Sequence, residues 1–371
     1  MSSPAVDFIK RHVRALLASV ALAVGFGWVM HAGALPLFPP AGTLDNLDAG
    51  LVVAAVLTQL VSMLMRLGRV HFLLAPIAKI SFPRLLSTMC ITIGLITFLP
   101  FRLGEVARPA LLREKGKLSG WAVTATVGAE RIIDGVVFAS LLLLGLTFAE
   151  PQEPLPDHIG SLAIPAAYVP RAAKLAAAGF SIAFVTMAAF FFWRGFARRV
   201  TERVLGLFSK RFAAFVADAV ERVSEGLRFL PNLKYTIPYL VVTVVSTLLN
   251  VGTIQLLIRA VGLPSLSFAE TTVVFGVLAL GFAVPNAPGF FGAVQLALYA
   301  GLAVYVEPAK VVREGAAFVF VYYVCYIGLV VAVTTLGLLA ESLSSRAVAA
   351  PEAALESDGD DARRARDTAG R

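Results

Sequence analysis

Two short charged runs carry most of the chemistry in this sequence. In the first, Arg102, Glu105 and Arg108 recur at intervals of three residues, a spacing that sets them on one face of a helix. In the second, Glu130, Arg131 and Asp134 interrupt the otherwise apolar stretch from Val123 to Leu144. Glu130 and Asp134 are four apart and share a face, and Arg131 can reach Asp134 three residues on. An ionised side chain near the centre of a bilayer costs about 2.5–3.5 kcal/mol on insertion scales, so unpaired survival there is disfavoured. A guanidinium meets phosphate oxygens with two parallel hydrogen bonds, which an ammonium cannot do. Arg102, Arg108 and Arg131 are therefore the candidates to hold a lipid phosphate. Glu105, Glu130 and Asp134 would orient them or carry protons. Two readings stand side by side. The charges form an ion-pair network that locks a hairpin to the next helix, or they line a polar cavity for a charged headgroup or a coupling ion. A lock can also line a path.

A second polar break, Val284-Pro285-Asn286-Ala287-Pro288-Gly289-Phe290-Phe291-Gly292, lies in another long apolar run and is followed by Gln295. It offers Asn286 and Gln295 but no charge, with Pro288 in the break and Gly289 and Gly292 allowing close backbone approach. Gly104 does the same beside the first break.

The elements that must position these residues are transmembrane helices. The chain has 371 residues, of which 58% are hydrophobic and 15% charged, with mean hydropathy +0.80. A soluble domain keeps about a quarter of its residues charged. Apolar stretches long enough to cross roughly 30 Å of hydrocarbon recur at Ala15–Leu35, Leu51–Leu67, Trp121–Phe148, Ala172–Trp193, Tyr235–Ile258 and Ala316–Leu339. The net charge of +8 flanks these stretches, where it reports topology and lipid headgroups and argues against nucleic acid. Cys90 and Cys325 lie in apolar segments and read as core thiols. The four histidines show no metal-ligand spacing.

Short loops rich in Lys and Arg stay in the cytoplasm. Lys10, Arg11 and Arg14 put the N-terminus inside, ahead of an uncleaved first span. Arg66, Arg69, Lys79 and Arg84 read as a cytoplasmic loop after the second span. A full crossing by Leu85–Pro100 would place Arg102, Arg108, Arg113, Lys115 and Lys117 outside. A hairpin that enters from the cytoplasm and returns avoids this, with Pro100 and Gly104 at its turn. The densest basic stretch, Arg194 to Arg228, has apolar residues at helical spacing. It reads as an amphipathic helix on the headgroups or as a connector packed on the bundle. Charge does not separate hairpin from crossings for Phe268–Val306; likeness to the first break favours a hairpin entering from outside.

The expected fold is therefore all-α, a polytopic membrane bundle of about six full spans plus two Pro/Gly-broken re-entrant hairpins in an inverted repeat. The membrane domain is expected over residues 1–343, with a cytoplasmic basic amphipathic connector over 194–234 and a disordered cytoplasmic tail over 344–371. Interrupted spans at matching positions of two halves point to a transporter site at the midplane.

Pro100-Phe101-Arg102-Leu103-Gly104-Glu105-Val106-Ala107-Arg108, followed by Glu130-Arg131-Ile132-Ile133-Asp134-Gly135, resembles the lysylphosphatidylglycerol synthase transmembrane family of flippase-like membrane proteins. Its members carry an Arg-x-Gly-Glu turn and then a Glu-Arg-x-x-Asp helix. Pro285 to Gln295 resembles a later family segment, with Gln295 where the family usually has Glu. The resemblance runs from about Leu16 to Leu339. It implies binding or movement of membrane phospholipids or lipid-linked substrates. It also implies that lysyl transfer, which in the best-known members belongs to a cytosolic domain, is not the work of this chain alone.

The expectation is a multi-pass lipid transporter or flippase of the inner (cytoplasmic) membrane, with both termini cytoplasmic. No catalytic residue, metal or cofactor is assigned, and no nucleic acid is expected. The alternative is a membrane-embedded transferase, or its partner subunit, modifying lipid headgroups or lipid-linked sugars. A non-catalytic anchor for another lipid-modifying enzyme is a third class.

Overall fold

The computed structural model describes residues 17, 20–99, 103–116, 120–158, 160–162, 168–192, 229–283 and 287–369. Its helices in chain order are α1 (Val20–Ala32), α2 (Ala49–Gly68), α3 (Val70–Leu74), α4 (Phe82–Phe98), α5 (Leu103–Gly116), α6 (Gly120–Phe148), α7 (Tyr168–Phe192), α8 (Leu233–Ala260), α9 (Phe268–Ala283), α10 (Ala293–Leu302), α11 (Pro308–Val312) and α12 (Glu314–Ala369). No β-sheet is present among the described residues. The protein is an all-helical, multi-pass membrane bundle.

Among the described residues, four helices are long and apolar enough to cross a bilayer: Ala49–Leu74, Ala122–Phe148, Leu233–Ala260 and Glu314–Leu343. Their starts follow from local chemistry. Asp48 caps α2, its side chain accepting from Leu51 N at 3.0 Å, and Asn232 caps α8 in the same way. Ser267 and Glu270 form a reciprocal capping box at α9.

Between the long helices sit the two broken segments. At 1.5 Å per residue, α4 is about 25 Å long, α9 about 24 Å and α10 about 15 Å, each short of the roughly 30 Å core. α4 folds back on α5, and α9 on α10. Both breaks thus join short apolar helices that fold back on one another as helical hairpins. In the first, a side chain on Gly104 would overlap the backbone of Leu95 and Ile96, so only glycine lets the two arms meet here. In the second, Gly289 and Gly292 have φ +73° and +82°, a region in which side chains are strained.

The packing repeats with a two-fold logic. The first unit is span α2, hairpin α4–α5 and span α6; the second is span α8, hairpin α9–α10 and span α12. The leading spans α2 and α8 pack antiparallel: Asp48 N donates to Ala260 O at 3.0 Å at one end, and Ser62 Oγ donates to Ser246 O at 2.8 Å further along. Each hairpin then lies against the last span of the other unit. α4 packs on α12, with Gly94 against Thr334 and Gly337 against Cys90. α9 packs on α6, with Gly276 against Leu142 and Phe138 edge-on to Phe275 at 5.6 Å. These pairs are also antiparallel, as an inverted repeat requires.

The solvent logic is inverted relative to a soluble protein. Arg69, Arg108, Glu130 and Asp134 are buried, while Trp28, Leu57, Ile182, Phe184 and Leu336 are exposed. An apolar exterior suits hydrocarbon, and polar groups survive by pairing inside. Cys90 is buried and Cys325 half-buried, both as free thiols.

Most of the basic connector expected over 194–234 lies outside the described residues; α8 already begins at Leu233. The backbone of α12 continues to Ala369, through the stretch expected to lack structure. Its apolar, membrane-length part ends at Leu343.

Candidate functional site

The charged residues converge where α2, α5, α6 and α8 meet. α6 supplies Glu130 and Asp134 from one face. α2 ends there, with Arg66 in its last turn and Arg69 capping its end. Arg69 is 1% exposed and is held through both terminal nitrogens: Nη2 donates to Asp134 Oδ2 at 2.6 Å and to Glu130 Oε1 at 3.3 Å, and Nη1 donates to Thr243 Oγ1 of α8 at 2.6 Å. Its guanidinium lies over the Tyr239 ring at 5.0 Å. Glu130 Oε2 accepts from Arg108 Nη1 at 2.6 Å, which ties the first hairpin to α6. Asp134 Oδ2 also accepts from Arg66 Nη2 at 3.1 Å.

A second layer is wetter. Arg131 Nη2 pairs with Glu105 Oε1 at 3.1 Å, and these side chains are 31% and 21% exposed. The Arg66 side chain is 36% exposed and stacks over Phe138 at 5.3 Å. Arg66, Glu105, Arg108, Glu130, Arg131 and Asp134 all line one cavity of about 410 Å³. The remaining wall is mostly apolar and aromatic, chiefly from α4, α6, α9 and α12, with a few neutral polar side chains from α2, α4 and α8. Among the described residues the cluster holds four guanidiniums against three carboxylates. Arg108 Nε and Nη2 have no hydrogen-bond partner. A cavity with surplus guanidinium charge and spare donors favours an anion, phosphate or carboxylate. No group of three or more His, Cys, Asp or Glu able to hold a metal occurs among the described residues.

The structure brings Glu105, Arg108, Glu130, Arg131 and Asp134 together, and it corrects their pairing. Arg131 does not turn to Asp134, three residues on; it faces Glu105 across the hairpin. Asp134 is taken by Arg66 and Arg69. A residue and its i+3 neighbour point along the same helix, so a cation from a facing helix reaches the carboxylate more directly.

Arg66 and Arg69 are the residues missed by sequence reasoning, which assigned them to a cytoplasmic loop. The signal was there: Gln59, Ser62, Arg66 and Arg69 recur at intervals of three and four along one face. Gly104 sits at the crossing of the hairpin arms. Arg102 and Asn286 lie outside the described residues. Pro288, Gly289, Gly292 and Gln295 shape the second hairpin's tip and are not among the cavity-lining residues. Gln295 is buried, and its Oε1 accepts from Gly292 N at 2.8 Å, closing the start of α10. Tyr323 Oη donates to Gly289 O at 3.0 Å, which pins the tip to α12. Phe290, between the two glycines, does reach the cavity.

Residues 16–334 match the family model described as the lysylphosphatidylglycerol synthase TM region. The chain belongs to this family. No curated protein and no solved structure matches it. The family match spans both hairpins and every residue of the charged cluster, so the cavity lies wholly within the lysylphosphatidylglycerol synthase membrane region. That region is a membrane domain of lipid-related proteins, which sets the chemical context for a cationic cavity between helices.

Proposed function

We propose that this protein is a lipid transporter that binds the anionic headgroup of a membrane lipid in the central cavity and passes it across the bilayer between the two hairpins. The observation that carries this reading is the uneven state of the charges. Arg69, Glu130 and Asp134 are buried and paired with one another at the cavity's edge, whereas Arg66 and Arg131 are a third exposed and face the cavity of about 410 Å³. A pure lock would have no use for the exposed layer. The antiparallel units supply two hairpins that approach the same cavity from opposite directions, the arrangement alternating access uses. Lys79 in the α3–α4 connection and Arg84 in the first turn of α4 favour a cytoplasmic position for the end where α2 finishes, and hence cytoplasmic termini in the inner membrane.

The test is reconstitution into liposomes with a headgroup-labelled anionic phospholipid, following the label's movement between leaflets. Wild type is expected to accelerate that movement, and Arg131→Gln to lower the rate at least about tenfold while eluting as a folded, monodisperse species. A wild type no faster than empty liposomes across anionic and isoprenoid lipids would falsify the transport reading.

A further inference from the structure

The charged layer accounts for only part of the cavity wall. Beyond it lie neutral polar side chains, among them Gln59 and Ser62 of α2 and Asn250 of α8; Thr92 of α4 also lines the wall, its hydroxyl donating to Thr88 O. Asn250 Nδ2 donates to Ser62 Oγ and to Ser246 O, both at 2.7 Å. The amide's hydrogens are thereby used, and Asn250 Oδ1 receives no bond from the described residues. Gln59 is 8% exposed, and its Oε1 has no hydrogen-bond partner. Leaving a buried acceptor unfilled costs about 1–3 kcal/mol, a cost that falls here on Gln59 Oε1; with the half-buried Asn250 also on the cavity wall, it points to a ligand that brings donors.

The kind of donor follows from the surroundings. Gln59, Ser62 and Arg66 form one stripe on α2, and Gln59 and Arg66 are seven residues apart, about 10 Å along the axis. A bare phosphate cannot touch both ends. An ammonium group would donate, but it would sit beside a cluster with more guanidiniums than carboxylates, which disfavours a further cation. Hydroxyls donate without charge. The same cavity is lined by aromatic rings: Tyr322 and Tyr326 are parallel with centroids 6.4 Å apart, and Phe282 packs on Tyr326 at 5.5 Å. Ring faces carry partial negative charge and receive C–H groups well, which a rigid ring presents together and a flexible chain does not.

Resting on the lipid-binding reading above, we propose that the headgroup is a cyclic polyol, a sugar or inositol ring, joined to its lipid through a phosphate. The phosphate lies at Arg66 and Arg131, the ring hydroxyls donate to Gln59 Oε1 and Asn250 Oδ1, and the ring's C–H face lies on the aromatic wall.

The experiment is native mass spectrometry of the full chain with four lipids of identical acyl chains: phosphatidylinositol, phosphatidylglycerol, phosphatidate and phosphatidylcholine. Phosphatidylinositol is expected to bind at least about tenfold more tightly than phosphatidate and phosphatidylglycerol. Gln59→Leu and Asn250→Leu are each expected to erase that preference while leaving phosphatidate binding unchanged, whereas Arg131→Gln weakens both. Gln59→Leu removes no hydrogen bond of Oε1, so it carries the test should the Asn250 variant fail to fold. Phosphatidate or phosphatidylglycerol bound as tightly as phosphatidylinositol would overturn the ring assignment and leave the phosphate site standing. A preference untouched by Gln59→Leu would overturn the placement of the hydroxyls. No anionic lipid held above phosphatidylcholine would remove the underlying lipid-binding reading as well.

Discussion

Glu130 takes one guanidinium on each oxygen, Arg69 at 3.3 Å and Arg108 at 2.6 Å, so neutralising it takes this carboxylate from buried Arg108 and leaves Arg69 to Asp134 alone. Breaking one side of a buried ion pair costs about 3–5 kcal/mol, and Glu130→Gln is expected to lose that much, read as a large drop in detergent unfolding temperature. Arg131 is a third exposed in its pair with Glu105, and exposed pairs contribute about 0–1 kcal/mol. Arg131→Gln should therefore leave the unfolding temperature nearly unchanged while abolishing lipid movement. Equal destabilisation by both variants would erase the division between a sealed lock and an open site. Arg69→Lys tests the lock's geometry. Arg69 uses two nitrogens in different directions, toward Thr243 and toward Asp134, and a single ammonium cannot replace that fork. The lysine variant is expected to be destabilised despite keeping its charge. At this scale the sequence disclosed which residue types mattered, because ionised groups in an apolar run are costly wherever they fall. It did not disclose their partners. Arg66 and Arg69 at the end of a span read equally well as headgroup anchors, and only the approach of α6 and α8 turns them inward. Gln59 and Ser62 share a face with Arg66 and Arg69, but being neutral they draw attention only once those arginines are seen to turn inward, and Asn250 has no such neighbours to mark it.

Helices α4, α5, α9 and α10 owe their hairpin form to length and to a few small residues. Pro100 and Gly104 on one side, and Gly289 and Gly292 on the other, mark the breaks without any knowledge of the fold, which is why both hairpins were legible. What hid was the depth of the packing. Gly104 is needed because the backbone of Leu95 and Ile96 fills the space a side chain would take, a contact that exists only once the arms have closed. Gly104→Ala is expected to force those arms apart and lower lipid movement, with the loss growing in Gly104→Val; protease resistance of the hairpin offers an independent reading. An alanine variant that folds and transports like wild type would show that the arms need not meet so closely. Gln295 was singled out as a missing charge. Its amide instead closes the start of α10 through Gly292 N, a local capping role that glutamate also fills in such motifs. The fold therefore explains a polar side chain here without a proton-carrying duty.

The whole molecule is two antiparallel units in which each hairpin rests on the closing span of the other unit, so movement of either hairpin must slide a cross-unit contact. Two such contacts are close enough to bridge. A Cβ on Gly94 would lie 3.0 Å from Thr334 Cβ, and one on Gly276 would lie 2.8 Å from Leu142 Cβ. Disulfides form at Cβ separations of about 3.5–4.5 Å, within reach of a small relaxation of either helix pair. In a background of Cys90→Ser and Cys325→Ala, Gly94→Cys with Thr334→Cys would fix the first hairpin to α12. Gly276→Cys with Leu142→Cys would fix the second to α6. If the hairpins alternate as gates, each bridge alone should cut lipid movement at least about tenfold, and reduction should restore it, because transport needs both sides to open in turn. Binding of an anionic lipid should survive in at least one bridged form, since each leaves the opposite hairpin free to admit a headgroup to Arg66 and Arg131. A bridged protein that moves lipid as fast as its reduced form would mean the hairpins are static walls, with the lipid passing along the bundle's outer surface.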